Sequence, residues 1–183
     1  MAQPLGEFIR IVQQADIRVA ELIAAFRDPL FTKVMNSVTG LGSLTAGLVF
    51  IGLFYLSGWE RDFRVTLVGL TLSGLVVATL MFTVQRAYPP QPVCQTGGAE
   101  TVAHSFPSGH AAAVAVYATV AYRSKHLPFG IVTALVVLIA ISRVYLGTHY
   151  LSDTVVGLLI GVGTALIAGR VVRSERFRRV VTQ

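Results

Sequence analysis

Apolar residues recur at three- and four-residue steps at the start of the chain: Leu5, Phe8, Ile9, Val12, Ala15, Val19, Leu22, Ile23, Phe26 and Leu30. That spacing predicts an amphipathic helix over residues 1–30. Glu7, Arg10, Gln13, Gln14, Arg18, Glu21 and Arg27 fill much of the remainder. The segment is thus too polar to cross a bilayer and suits the interface, or packing against a bundle. Beyond residue 39 the pattern changes to long apolar runs near 40–57, 66–86, 108–122, 128–146 and 153–170. Each approaches the roughly 20 residues that a spanning helix needs. The breaks are charged at 57–64, rich in Pro, Gly and Gln at 88–105, and basic at 123–128. The expected fold class is an all-α integral membrane bundle of about five transmembrane helices plus the amphipathic helix. It divides into an interfacial helix (1–30), a transmembrane domain (31–172) and a basic tail (173–183).

Five crossings bring the end of the second span, the start of the third, the end of the fourth and the start of the fifth to one membrane face. Those ends carry Arg86, then Ser108 with His110, then Arg143, then His149 with Asp153. Ionisable groups in or beside spans are expensive and mark functional sites. Composition sharpens the picture: of 183 residues, 54% are hydrophobic and 13% charged, which excludes a disordered chain and a soluble nucleic-acid binder. The net charge of +6 comes from basic residues between apolar runs, so it reads as membrane topology and not as a nucleic-acid partner. Arg61, Arg64, Arg123, Lys125, Arg170, Arg173, Arg176, Arg178 and Arg179 fall opposite the polar cluster. The positive-inside rule then makes the C-terminus cytoplasmic and the cluster exoplasmic, in a plasma or inner membrane. Arg10, Arg18, Arg27 and Lys33, ahead of the first span, weigh against that orientation. Cys94 is the single cysteine, so neither an intrachain disulfide nor a cysteine-based metal cluster is available.

Two segments carry candidate chemistry. Ser105-Phe106-Pro107-Ser108-Gly109-His110 runs into the small residues 111–115. A Pro and a Ser at a helix start leave outward-facing N–H groups, and Gly109 allows close approach, which suits an anion. A capped helix that binds nothing is the plainer alternative. His110 beside such a pocket is placed to donate a proton. In the second segment, 142–153, His149 and Asp153 stand four residues apart, so the carboxylate can orient the imidazole. Arg143 supplies a planar fork suited to phosphate. Together these residues fit attack by His149 on a phosphoryl group, with His110 protonating the departing oxygen. Metal binding by His104, His110, His149 and Asp153 ranks lower, because Arg143 would set a positive charge beside the cation.

Pro107-Ser108-Gly109-His110, and Ser142-Arg143 with His149 and Asp153 after it, resemble the second and third signature motifs of the type 2 phosphatidic acid phosphatase family. That family shares its fold with vanadium haloperoxidases. The resemblance covers about residues 28–170. It implies cofactor-free, metal-independent removal of phosphate from lipid phosphates or pyrophosphates in the bilayer. It assigns His149 as nucleophile, Asp153 as its partner, His110 as general acid, and Ser108, Gly109 and Arg143 as phosphate ligands. The family's first motif, a Lys followed after six residues by Arg-Pro, is altered. Aligning Pro89 with the motif proline puts Met81 at the Lys and Tyr88 at the Arg; aligning Arg86 with the motif Arg puts Thr79 at the Lys and Ala87 at the proline. Arg86 is expected to reach the phosphate from a shifted register, the alternative being that it snorkels to the head groups. The altered motif also admits a lipid phosphotransferase or a non-catalytic homologue. Among other residues, His104 and His126 are expected to be solvated, Tyr145 and Tyr150 to anchor at the interface, and Cys94, Gly97 and Gly98 to lie in a loop over the pocket.

Overall fold

The computed structural model describes residues 2–93 and 104–174, with side chains from residue 6 onward. Among the described residues the chain forms seven α-helices and no strand. They are α1 (Ala2–Ala25), α2 (Pro29–Thr39), α3 (Leu44–Leu56), α4 (Glu60–Val84), α5 (Gly109–Ala121), α6 (Phe129–Tyr145) and α7 (Leu151–Arg173). The expected loop residues Cys94, Gly97 and Gly98 and the tail residues Arg176, Arg178 and Arg179 lie outside the described residues.

The N-terminal amphipathic segment is divided, because Asp28 accepts hydrogen bonds from the N–H groups of Leu30 and Phe31 and Pro29 opens a new helix. Helix α1 packs on α6 and α7. It buries Asp16 and Ala20 while Phe8, Ile17 and Leu22 stay exposed. Helix α3 starts only at Leu44, since Gly40–Gly42 forms a single 3₁₀ turn and Ser43 supplies the N-cap of α3. The five expected apolar segments thus correspond to α3 through α7. Two of them, α4 and α7, are long and apolar enough to cross a membrane. A third candidate is the pair 29–42 and α3, bent by 52° at its break. The other two, α5 and α6, have 13 and 17 residues, fewer than a full span requires. Both are cut short where the chain turns to build the polar cluster: α5 begins after Pro107-Ser108, and α6 stops ahead of Gly147.

Helix α5 is the hub, packed against α4, α6 and α7. Its residues Ala111, Ala112, Val114, Ala115, Val116, Val120 and Ala121 are all buried. The closest approach is to α7, where glycines bring the two backbones together. A Cβ at Gly161 would stand 2.1 Å from the Ala112 carbonyl oxygen, and one at Gly157 would stand 2.4 Å from that of Ser108. Small residues permit this packing where lipid, not water, surrounds the bundle. The result presses the start of α5 onto the first turns of α7, where the Ser108 N–H donates to the Asp153 carbonyl at 3.1 Å.

Candidate active site

Three chain breaks meet at one end of the bundle. The first is the start of α5, where Ser108 is the N-cap and its hydroxyl accepts from the Ala111 N–H at 3.4 Å. Ser105, Pro107 and Ser108 are buried, and Gly109 and His110 occupy the first turn. First-turn N–H groups have no partner within their own helix, so this turn presents donors. His110 packs on the 3₁₀ turn: a Cβ at Gly42 would stand 3.2 Å from the His110 ring.

The second break is the end of α6. Arg143 lies in the last turn, where a cation opposes the helix dipole, and is 5% exposed. Its Nη1 donates to Thr39 Oγ1 at 3.1 Å. Gly147 comes next with φ of 68°, a conformation that closes a helix end and that side chains resist. The chain then curls back, so that the N–H groups of Thr148 and His149 both donate to the Arg143 carbonyl, at 3.2 and 3.3 Å. That curl places His149 beside Arg143. His149 is buried, and its Nδ1 lies 2.5 Å from the Ser105 carbonyl oxygen. Burial first, and the Arg143 charge second, push the His149 imidazole down to about 3, so it is neutral near pH 7.

The third is the start of α7, where Asp153 departs from the sequence expectation. It does not orient His149 through a hydrogen bond. Its Oδ2 accepts from the Tyr150 N–H at 2.8 Å and its Oδ1 from Arg86 Nη1 at 2.5 Å. Four residues of separation put the two side chains on one face only within a continuous helix, and His149 precedes the helix that Tyr150 caps. Arg86 also departs from expectation. Helix α4 ends at Val84, with Gln85 in the left-handed region at φ of 50°, which turns Arg86 toward α1 and α7. There it donates to Asp16 at 2.8 Å, Ser152 at 2.8 Å and Asp153, with its guanidinium 4.0 Å from the Tyr150 ring centre. Burial opposes its charge, but the hydrogen bonds and charges of Asp16 and Asp153 outweigh that and raise its pKa. Tyr88, the residue aligned with the motif Arg, lies within electrostatic reach of Arg143; its phenol is raised by burial, with Arg143 opposing.

The structure therefore brings Arg143 within electrostatic reach of His149 and of His110 on the first turn of α5, which Ser108 caps and Gly109 opens, and pairs Arg86 with Asp153. Both histidines feel the Arg143 charge, and His149 also feels His110. His104, half-buried, leads into Ser105, and His126 is exposed at the far end, stacked on Trp59 at 4.7 Å. Tyr145 is buried instead of anchoring at an interface: its hydroxyl accepts from the Asp28 N–H at 3.0 Å. Among the described residues, no group of three or more His, Cys, Asp or Glu is arranged to hold a metal ion. Asp16, Thr39 and Ser105 were not legible as site residues. Of these only Asp16 left a trace, as a carboxylate in register with Val12, Val19, Ala20 and Ile23 on the inward face of α1.

Known proteins resemble this arrangement in sequence and in shape. The family model described as the PAP2 superfamily matches residues 62–177. The chain is 32% identical over 187 residues to phosphatidylglycerophosphatase B of Bacillus subtilis, covering 92% of this chain and 89% of that protein. It is 30% identical over 124 residues to decaprenylphosphoryl-5-phosphoribose phosphatase of Mycobacterium tuberculosis, covering 68% of this chain and 69% of that one. The crystal structure of a transmembrane PAP2-type phosphatidylglycerolphosphate phosphatase from Bacillus subtilis superposes with a TM-score of 0.76 at 26% identity, over 92% of this chain and 94% of that chain. Aquifex aeolicus LpxE superposes with a TM-score of 0.66 at 25% identity, over 82% and 92%.

Proposed function

Because the chain belongs to the PAP2 superfamily, we propose that this integral membrane protein is a phosphatase that releases phosphate from a lipid phosphate or pyrophosphate through His149. The carrying observation is the meeting of a neutral, buried His149 with Arg143, His110 and the open first turn of α5. With Nδ1 engaged by the Ser105 carbonyl, Nε2 of His149 carries the lone pair. It attacks phosphorus, the N–P bond forms and the P–O bond to the lipid breaks, and His110, which takes up a proton as the phosphoryl anion binds beside it, gives that proton to the departing oxygen. Water, losing a proton to His110, then displaces His149 and frees inorganic phosphate. Arg143 and the N–H groups at Gly109 and His110 hold the phosphoryl oxygens as charge shifts onto them. Every acid, base and ligand in this scheme is a side chain or backbone group of the protein, so the scheme calls for no metal.

A lipid substrate is favoured because the site lies at the ends of apolar helices and because the named relatives act on lipid-linked phosphates. The basic residues Arg61, Arg123, Arg170 and Arg173 lie at the other end, where Arg61 reaches the Arg123 carbonyl at 3.0 Å. The positive-inside rule then turns the site to the exoplasmic side and the C-terminus to the cytoplasm. The test is phosphate release from a panel of long-chain lipid phosphates and pyrophosphates, with soluble phosphate esters alongside and EDTA throughout, by wild type and His149→Ala. Release by the wild type alone, and from lipids above soluble esters, supports the reading. Labelled phosphate appearing on an acceptor lipid would replace hydrolysis by transfer.

A further inference from the structure

We propose that Asp16, on the N-terminal helix α1, is a positioning residue for this site, holding Arg86 and the first turn of α7 and, through them, the His149 turn. The inference rests on the reading of His149 as the nucleophile. Asp16 is 3% exposed, the deepest polar group on a helix whose other large side chains mostly face outward. Both of its oxygens are engaged. Oδ1 accepts from the Ser152 N–H at 3.0 Å, and Oδ2 accepts from Arg86 Nη2 at 2.8 Å and from the Ser152 hydroxyl. Arg86 stands between two buried carboxylates, Asp16 and Asp153, and donates to both.

The consequence is electrostatic as well as mechanical. The start of α7 is, by its dipole and free N–H groups, as good an anion site as the start of α5. Asp16 takes the Ser152 N–H and Asp153 takes the Tyr150 N–H, so carboxylates already occupy it. A phosphoryl group is thereby directed to the first turn of α5, where the histidines are. The same N-terminal region holds the other side of the turn: Arg27 donates to the Tyr145 carbonyl at 2.9 Å and to the Gln91 carbonyl at 2.6 Å. Removing the Asp16 charge leaves Arg86 to Asp153 and Ser152 alone and uncovers the Ser152 N–H at the start of α7, so the phosphoryl group is still bound but misaligned with His149.

The experiment uses the full chain in mixed micelles with whichever long-chain lipid phosphate the wild type hydrolyses fastest. It compares Asp16→Asn, Arg86→Gln and the double variant, each assayed well below its own unfolding temperature in detergent. Asp16→Asn is expected to lower kcat by about tenfold or more while KM stays within about twofold. The double variant is expected to fall no further than Arg86→Gln alone. An unchanged kcat in Asp16→Asn, a loss confined to KM, or multiplicative losses in the double variant would overturn the proposal while leaving the phosphatase reading intact. If Asp16→Asn does not fold, Ser152→Ala, which removes only the hydroxyl shared by Asp16 and Arg86, is expected to give a smaller kcat loss at constant KM. No kcat loss there overturns it equally. Silence of the wild type on every lipid would remove the phosphatase reading and this inference with it.

Discussion

The carbonyl oxygen of Ser105 lies 2.5 Å from Nδ1 of His149, across 44 residues of sequence. A carbonyl only accepts, so Nδ1 carries the proton and Nε2 is left bare. The tautomer that a carboxylate sets in many histidine sites is here set by the backbone just ahead of Pro107-Ser108-Gly109-His110. His149 and the turn that opens α5 are thereby fastened to each other.

Burial of this histidine has a sign that can be measured. The imidazole is held down to about 3 from an ordinary 6.5, so between those values the unfolded chain binds more protons than the folded one. Stability is therefore full above about pH 6.5 and falls as pH drops toward about 3. Denaturant unfolding in detergent across that range is expected to show the decline in wild type and a shallower one in His149→Gln. Equal slopes would mean that His149 is solvated.

The contact between α5 and α7 makes two neighbouring glycines unequal. At Gly161 a Cβ would strike the Ala112 carbonyl, whereas at Gly163 nothing lies within 4 Å. Gly161→Ala is expected to destabilise the bundle by about 1–3 kcal/mol through overpacking. Gly163→Ala is expected to be neutral or to stabilise by up to about 1 kcal/mol through helix propensity. Thermal unfolding of the two variants side by side decides it. Equal midpoints would show that the helices part without cost.

Thr39 is expected to support Arg143, the proposed phosphate ligand, and not the chemistry. Its hydroxyl accepts from Arg143 Nη1, and Val would replace it at nearly the same volume without that acceptor. A hydrogen bond to a charged group contributes about 1.5–3 kcal/mol, so Thr39→Val is expected to raise KM by about tenfold or more with a smaller effect on kcat. Steady-state kinetics on a lipid phosphate separate the two. A fall in kcat at constant KM would place Thr39 with the reacting atoms.

Asp153 and Arg86 are expected to matter for folding as much as for turnover. Breaking a buried ion pair strands a charge, at about 3–5 kcal/mol. Asp153→Ala and Arg86→Ala should each lower the unfolding temperature in detergent by more than His149→Ala, which removes a neutral group. Loss of activity in Arg86→Ala with an unchanged midpoint would return Arg86 to the phosphate.

Helices, their polar breaks and the company of Ser108, His110, Arg143 and His149 could be read from the chain alone. Apolar periodicity and caps such as Asp28, Ser43 and Ser108 act over three or four residues, and a one-dimensional pattern records such distances. Partner choice could not be read this way. Whether His149 meets Asp153 or the Ser105 carbonyl depends on α7 starting at Leu151, after the histidine instead of before it. Whether Arg86 faces phosphate or Asp16 depends on one left-handed residue at Gln85. Asp16 reaches Arg86 across 70 residues because α1 lies against α6 and α7 in one rotation about its axis. Hydrogen bonds are decided within a few tenths of an ångström, and only the packing of whole helices sets positions that finely.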